Sequence, residues 1–270
     1  MKNNFSVLMS LYKNESPDFL NDCFISLREQ SLPASEIILV IDGPVGSALE
    51  KIIYKWSDIL PLKIIRLKDN MGLGYALNEG ISYCTNEIII RMDTDDICQR
   101  ERFKIIVNYM DKNNSIGLIG TFIDEFIDEP TNIVSTRKVP LNREEIVNHA
   151  RYRNPFNHMS VAFKKSVVDS AGGYHHHLYM EDYNLWLRVI ASGVNVCNLD
   201  QSLILARIGH SMLTRRKGWK YIKSEFLLYR LKVALGFDSI ISGFFIFLIR
   251  SIPRLLPIYF LKRLYGVIRK

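Results

Sequence analysis

Apolar positions along the chain follow two alternating patterns, and the alternation predicts the fold before any single residue does. Residues 5–11, 36–41, 62–67 and 88–92 are short, largely β-branched apolar runs bounded by turn residues, as expected of strands buried on both faces. Amphipathic stretches of helical length lie between them, from Pro17 to about Gln30, from Ser47 to Leu60, and from Leu73 onward. Ser16-Pro17-Asp18 opens the first with a capping residue, a proline at N1 and an acid in the first turn. Strand–helix alternation at this spacing predicts βαβ units and an α/β, doubly wound, mostly parallel sheet. Further on, the pattern predicts a helix over 99–113, a strand over 116–127, a helix at 143–152 and a strand near 159–163. A helix starting at Glu181 and closing strands at 194–198 and 203–207 complete this part.

After Thr214 the pattern changes to basic helices, followed by an apolar run over 240–249. Ten apolar residues fall well short of the ~20 that a spanning helix needs. Pro253 and Pro257 interrupt the remaining stretch, so the expectation is an element lying in a membrane interface. Charge follows the same division. The chain carries +7 overall, yet residues 215–270 hold 13 Lys/Arg against 2 Asp/Glu. Basicity confined to the last fifth points to an anionic surface contacted by the tail. Aromatics among lysines also suit nucleic acid, but the continuous apolar blocks favour lipid, and no nucleic-acid partner is expected. Truncation after about Lys232 is then expected to free the protein from membranes and to spare transfer to a soluble acceptor. The alternative is that the tail helices pack on the domain as core.

With 270 residues and 48% hydrophobic content, the chain can bury a substantial core, as one domain with an appendage. The four cysteines are scattered without metal-ligand spacing, and the amino terminus shows no signal-peptide pattern. A reduced cytosolic protein without structural disulfides or zinc is expected.

Candidate chemistry collects where strands end. The run over 88–92 gives way to Asp93-Thr94-Asp95-Asp96, three carboxylates that repel one another unless a cation sits among them. Such oxygen donors suit Mg²⁺ or Mn²⁺, and the other reading is a solvated acidic turn before the next helix. Asp42 ends another strand at the same sheet edge, where it either accepts from a nucleoside or serves the Asp-Gly-Pro turn. Asn70 and Gly72 precede a helix whose free amide groups could face phosphates. Glu181 and Asp182 open a helix, as a general base with its partner or as plain dipole companions. His158 and His210 are candidates for a diphosphate or a metal, or are structural hydrogen-bonders. The 175–177 histidines read as acceptor-side lining rather than a metal site.

Together, Asp42, the Asn70-x-Gly72-Leu73 turn with Ala76-Leu77-Asn78-x-Gly80, Asp93-x-Asp95-Asp96 and Glu181-Asp182-x-x-Leu185-Trp186-Leu187-Arg188 resemble family 2 glycosyltransferases over about residues 4–214. The resemblance implies a GT-A fold, with a nucleotide-binding half over about 1–120 and an acceptor half over about 121–214, to which the basic, apolar tail adds a helical extension over 215–270. It implies a UDP-sugar donor, a Mn²⁺ or Mg²⁺ cofactor and inversion at the anomeric carbon. Carried over by position, Asp42 reads the uracil, Asp93 the ribose, and Asp95 ligates the metal with Asp93 and Asp96 in support. Asn70, Gly72 and His158 line the nucleotide, and His210 is a further ligand candidate. Asp182 is the base, with Glu181 orienting the acceptor. The tail resembles bacterial enzymes of O-antigen and exopolysaccharide assembly that add glucose or galactose, β1,3, to GlcNAc on undecaprenyl diphosphate at the cytoplasmic face of the inner membrane. Tyr75 stands where the family commonly has a small residue, and Arg207-Ile208-Gly209-His210 is shifted by one from the family's Arg-x-His. The competing readings are a sugar nucleotidyltransferase, whose glycine-rich loop after the first strand is missing here, and a non-catalytic membrane-surface binding protein.

Overall fold

The computed structural model describes residues 4–208 and 218–255. One nine-stranded sheet runs through the molecule. Half of it is parallel, with β1 (Phe5–Leu11), β2 (Glu36–Ile41), β3 (Leu62–Arg66) and β4 (Ile88–Arg91) in the order β3-β2-β1-β4. Parallel neighbours need crossovers, and α1 (Pro17–Arg28), α2 (Ser47–Ser57) and α3 (Leu73–Tyr83) provide them. Residues alternate between two cores because a strand's side chains alternate between faces. Val7, Met9 and Leu39 meet α1 and α2 on one face, while Leu8, Ile38 and Val40 meet α3 on the other. That is the doubly wound arrangement expected from the alternation of elements.

Beyond β4 the sheet continues through β8 (Ala162–Lys164), β6 (Ile116–Phe126), β9 (Asn195–Arg207) and β5 (Ile97–Cys98), with β7 (Ile133–Arg137) paired to β6. Here β6 and β9 run parallel and the remaining pairs antiparallel. The two predicted closing strands are one strand, β9, whose pairing survives a register shift between Thr121 and Phe122 of β6. Exposed Asp200 and Gln201 at that irregularity carry the polarity of a loop. The two-residue β5, the solvent-facing β7 and the six-residue α6 (Lys165–Ser170) are too short or too polar to leave a periodic signal. The remaining helices are α4 (Arg102–Lys112), α5 (Arg143–Ala150) and α7 (Glu181–Ala191). All four cysteines are free, as expected.

Two helices come after this sheet, α8 (Trp219–Ala234) and α9 (Ile240–Leu255). Tyr221, Ser224, Glu225, Leu228 and Lys232 form one buried stripe of α8, and Tyr221 and Leu228 join the core that α7 lines. The helices pack through Phe226–Phe247 and Tyr229–Phe244 ring contacts. Their outer faces stay apolar: Ile240, Ile241, Phe244, Phe245, Ile249 and Ile252 are exposed along α9. The pair therefore packs on the domain as core on one side, the alternative expected for the tail, and keeps an open apolar surface on the other. Among the described residues no helix is long and apolar enough to cross a membrane. The expected 214/215 boundary and His210 lie outside the described residues.

Candidate active site

The carboxyl ends of β2 and β4, which flank β1, meet at one edge of the sheet. At the end of β2 the Asp42 carboxylate is almost completely buried, 3% exposed, and builds the next turn. It accepts from the backbone N–H groups of Met71 at 2.7 Å and Gly72 at 2.9 Å, and from Asn70 Nδ2 at 3.0 Å. Gly72 takes φ +89°, a conformation that favours glycine, and leads into α3. A side chain at Gly43 would meet the Asn70 nitrogen at 2.7 Å, so the two turns touch. Asp42, Asn70 and Gly72, singled out separately in the sequence, are thus one hydrogen-bonded unit at the amino end of α3. The rest of that motif has its place as well. Asn78 donates to Tyr174 O at 2.6 Å and accepts from its N–H at 2.7 Å, while Gly80 lets α3 lie against Leu8 and Val40.

At the end of β4, Asp93, Asp95 and Asp96 bring their ligand oxygens within 4.8 Å of one another. Beneath them lies Arg91, a fully buried guanidinium that donates to Asp93 and to the carbonyls of Met92 and Leu8. Arg102, equally buried, supports it by donating to Arg91 O at 2.7 Å and Met159 O at 3.0 Å. One Asp96 oxygen accepts from the Arg207 N–H at 2.9 Å, and the other is buried without a hydrogen-bond partner. Burial, reinforced by the Asp93 and Glu15 carboxylates, pushes Asp95 up to about 7. Burial and its two acidic neighbours hold Asp96 well above the usual carboxylate range. Three carboxylates around an orphaned oxygen form a hard donor set short of positive charge, and a divalent cation fits it.

The acceptor side comes from α7. Asp182 Oδ2 accepts from Asn154 Nδ2 at 2.6 Å. Glu181 packs against the first turn of α3, where a side chain at Gly74 would meet its Cγ at 3.1 Å, and burial raises its pKa. His158 and Tyr174 lie within electrostatic reach of both acidic groups. Their rings meet edge to face at 6.2 Å, and both feel the charges of Arg91, Asp93 and Asp182. Burial and Arg91 lower the His158 pKa, so its imidazole is neutral at pH 7, and its Nε2 lacks a partner. Trp186, Leu187 and Ile190 are core. His177 is buried too, bonded to Ser224 O at 2.8 Å and Asn184 at 3.0 Å, and so fastens α7 to α8.

The site roles of three residues are not readable from the sequence. Arg91 left a signal, a cation inside an otherwise apolar strand. Asn154 left none, because its partner lies 28 residues away. Arg207 was visible as part of a shifted motif, but its place over the rings of Phe19 and Phe126, with its N–H on Asp96, is a tertiary fact.

A nucleotide-type sheet edge, an acidic turn and an opposed carboxylate pair define a GT-A-like sugar transferase. The chain belongs to glycosyltransferase family 2: the model of "Glycosyl transferase family 2" matches residues 6–170. It is similar to the amylovoran biosynthesis glycosyltransferase AmsE of Erwinia amylovora, with 47% identity over 98% of this chain and 99% of that protein. The Escherichia coli UDP-Gal:alpha-D-GlcNAc-diphosphoundecaprenol beta-1,3-galactosyltransferase is 37% identical over 98% of this chain and 97% of its own. In fold it is similar to S. aureus TarS 1-349 in complex with UDP-GlcNAc, at TM-score 0.68 and 16% identity over 90% of this chain and 70% of that one.

Proposed function

We propose that the protein moves a hexose, glucose or galactose, from a UDP-sugar to GlcNAc carried on undecaprenyl diphosphate. The linkage is β1,3, and the product is an exopolysaccharide or O-antigen repeat-unit intermediate. The similarity over nearly the whole chain to an E. coli enzyme named for that reaction supports the acceptor class. The observation that carries the reading is the acidic centre of Asp93, Asp95 and Asp96 with its unpartnered Asp96 oxygen, and Asp182 near enough that its charge and that of Asp93 both act on His158 and Tyr174.

Asp42, which also holds the turn of Asn70 and Gly72, reads the uracil, and Asp93 takes the ribose side. Amide groups at the start of α3 and the neutral His158 face the diphosphate. Asp95, with Asp93, Asp96 and the undescribed His210, would hold Mn²⁺ or Mg²⁺, which when bound neutralises the charge of a departing diphosphate. Asp182 takes the proton from the acceptor hydroxyl as that oxygen attacks the anomeric carbon from the face opposite the diphosphate, giving inversion. Asn154 fixes one Asp182 oxygen and leaves the other for that proton. Glu181 orients the acceptor.

The helix pair is read as the peripheral contact with the cytoplasmic face of the membrane. On α8, Trp219, Lys220, Lys223, Phe226, Leu227 and Arg230 share the face turned away from α7. Aromatic and basic residues interleaved beside the bare apolar stripe of α9 suit an anionic interface. The test is a panel of UDP-sugars incubated with synthetic GlcNAc-diphosphate-lipid, with the product linkage read by NMR. A β1,3-hexosyl product is expected, and no transfer from any UDP-hexose would overturn the reading.

A further inference from the structure

The carboxyl end of α5 exposes three consecutive carbonyls, which a helix end leaves without intrahelical donors. Each is taken by a side chain from α7, α8 or α9. Tyr183 Oη donates to Ala150 O at 2.7 Å, Lys232 Nζ to Arg151 O at 2.6 Å, and Arg250 to Tyr152 O. The Arg151 side chain in turn meets Asp238, in the turn between α8 and α9, at 2.8 Å. Arg250 is itself held by a bidentate pair with buried Glu225, at 2.7 and 2.9 Å. Two residues past Tyr152 stands Asn154, which donates to Asp182. Tyr183, whose ring lies 4.9 Å from Lys232 Nζ, is the residue after Asp182. The helix pair therefore grips the short segment 150–154 from one side while Asn154 grips Asp182 from the other.

We propose that α8 and α9 brace the acceptor side of the active site, with Lys232, Asp238 and Arg250 as positioning residues that hold segment 150–154, and through Asn154 the carboxylate of Asp182. The inference rests on Asp182 being the base. It makes the helix pair part of the catalytic geometry as well as a surface for lipid. A small displacement of a reacting group is enough to cost roughly a hundredfold in rate, and the brace fixes a carboxylate otherwise held at one oxygen.

The experiment is a double-mutant cycle on the full-length protein with a short water-soluble GlcNAc-diphosphate acceptor. Lys232→Met removes the donor to Arg151 O, Arg151→Lys keeps the charge but loses the Nε bond to Asp238, and Asn154→Ala breaks the last link. Each brace variant should lower kcat by roughly tenfold, leave the Kd for UDP unchanged, and add nothing once Asn154→Ala is present. Losses that multiply with Asn154→Ala, or a kcat that stays at the wild-type value, would overturn the brace. A fall in UDP affinity in parallel with kcat in both variants would do so too, since that marks general loosening. Arg151→Lys, at a half-exposed position, covers the case in which Lys232→Met does not fold. Asp182→Asn is run alongside. If it transfers at the wild-type rate, the base assignment fails, whereas an inactive Asp182→Asn with a multiplicative cycle rejects the brace alone.

Discussion

Two clusters of buried charge among the described residues are opposite in kind. At the acidic centre three carboxylates gather by the Arg91 guanidinium, which pairs with Asp93, one Asp96 oxygen is left without a partner, and burial pushes Asp95 up to about 7 and Asp96 well above the usual carboxylate range. Under the helix pair, Arg151, Lys232 and Arg250 face Glu225 and Asp238, and the excess is positive. That second cluster relieves its excess internally, because burial and the neighbouring Arg250 push Lys232 down to about 7. Every one of its cations has an oxygen partner within hydrogen-bonding distance. One Asp238 oxygen is likewise without a partner, so the contrast lies in charge: uncompensated acids at the first cluster mark a place for a cation, and paired cations at the second mark architecture.

The largest effect that would break this contrast is at Asp95. Asp95→Ala should lower transfer by roughly 10³-fold or more at any metal concentration, while EDTA abolishes and Mn²⁺ or Mg²⁺ restores the activity of the unaltered protein. Full activity in EDTA would make the acidic centre architecture as well. Next in size is Asp182→Asn, which keeps the bond from Asn154 but cannot accept a proton. Turnover should fall by roughly 10²-fold with UDP binding little changed, as measured by single-turnover kinetics and calorimetry.

On stability, removing the buried cation by Arg91→Met should cost about 3–5 kcal/mol in denaturant unfolding without metal, because it strands Asp93. Mn²⁺ should recover part of the loss. The response to pH has a definite sign. Asp95 in the folded, metal-free protein keeps its proton up to about 7, whereas an unfolded chain loses it near the ordinary carboxylate value. Between those limits the folded state binds more protons, so metal-free stability should fall as pH rises from about 4 to about 7. Metal binding should strengthen over the same window with proton release, and melting curves with and without Mn²⁺ would show both.

The smallest effect concerns the outer face of the helix pair. Sedimentation with anionic vesicles should be partly reversed by salt, because each exposed Lys or Arg contributes about 1 kcal/mol and the apolar share resists screening. Ile241→Ser with Phe245→Ser should reduce vesicle binding and leave transfer to a soluble acceptor intact. A cut after Lys232 differs from that surface change, since it also removes Asp238 and Arg250. It should now abolish transfer, where sequence alone led us to expect survival.

The difference between the two clusters also explains how much was legible in the sequence. The parallel half of the fold and the acidic centre rest on local signals: apolar runs that end in carboxylates, a glycine turn, acids at a helix start. Asp42, Asn70 and Gly72 were legible as a turn, although their mutual hydrogen bonds were not. The second cluster joins residues 81, 87 and 98 positions apart, so no periodicity records it. In sequence Lys232 and Arg250 count as two more charges of a basic tail, yet both are turned inward, and among the described tail residues the exposed cations are Lys220, Lys223 and Arg230 on the outer stripe of α8. β7 and the bend in β9 escaped for a related reason, since an edge strand and a bulge carry the polarity of loops.

The four free cysteines have a practical consequence. Burial raises the thiols of Cys23, Cys98 and Cys197, and takes Cys84 up to about 12. Thiolate is the reactive form, so at neutral pH the native protein is nearly silent toward alkylating reagents. A Phe245→Cys variant would therefore present one fast thiol against a quiet background, with no native cysteine removed. A polarity-sensitive dye placed there would report directly whether this stripe of α9 leaves water when vesicles are added.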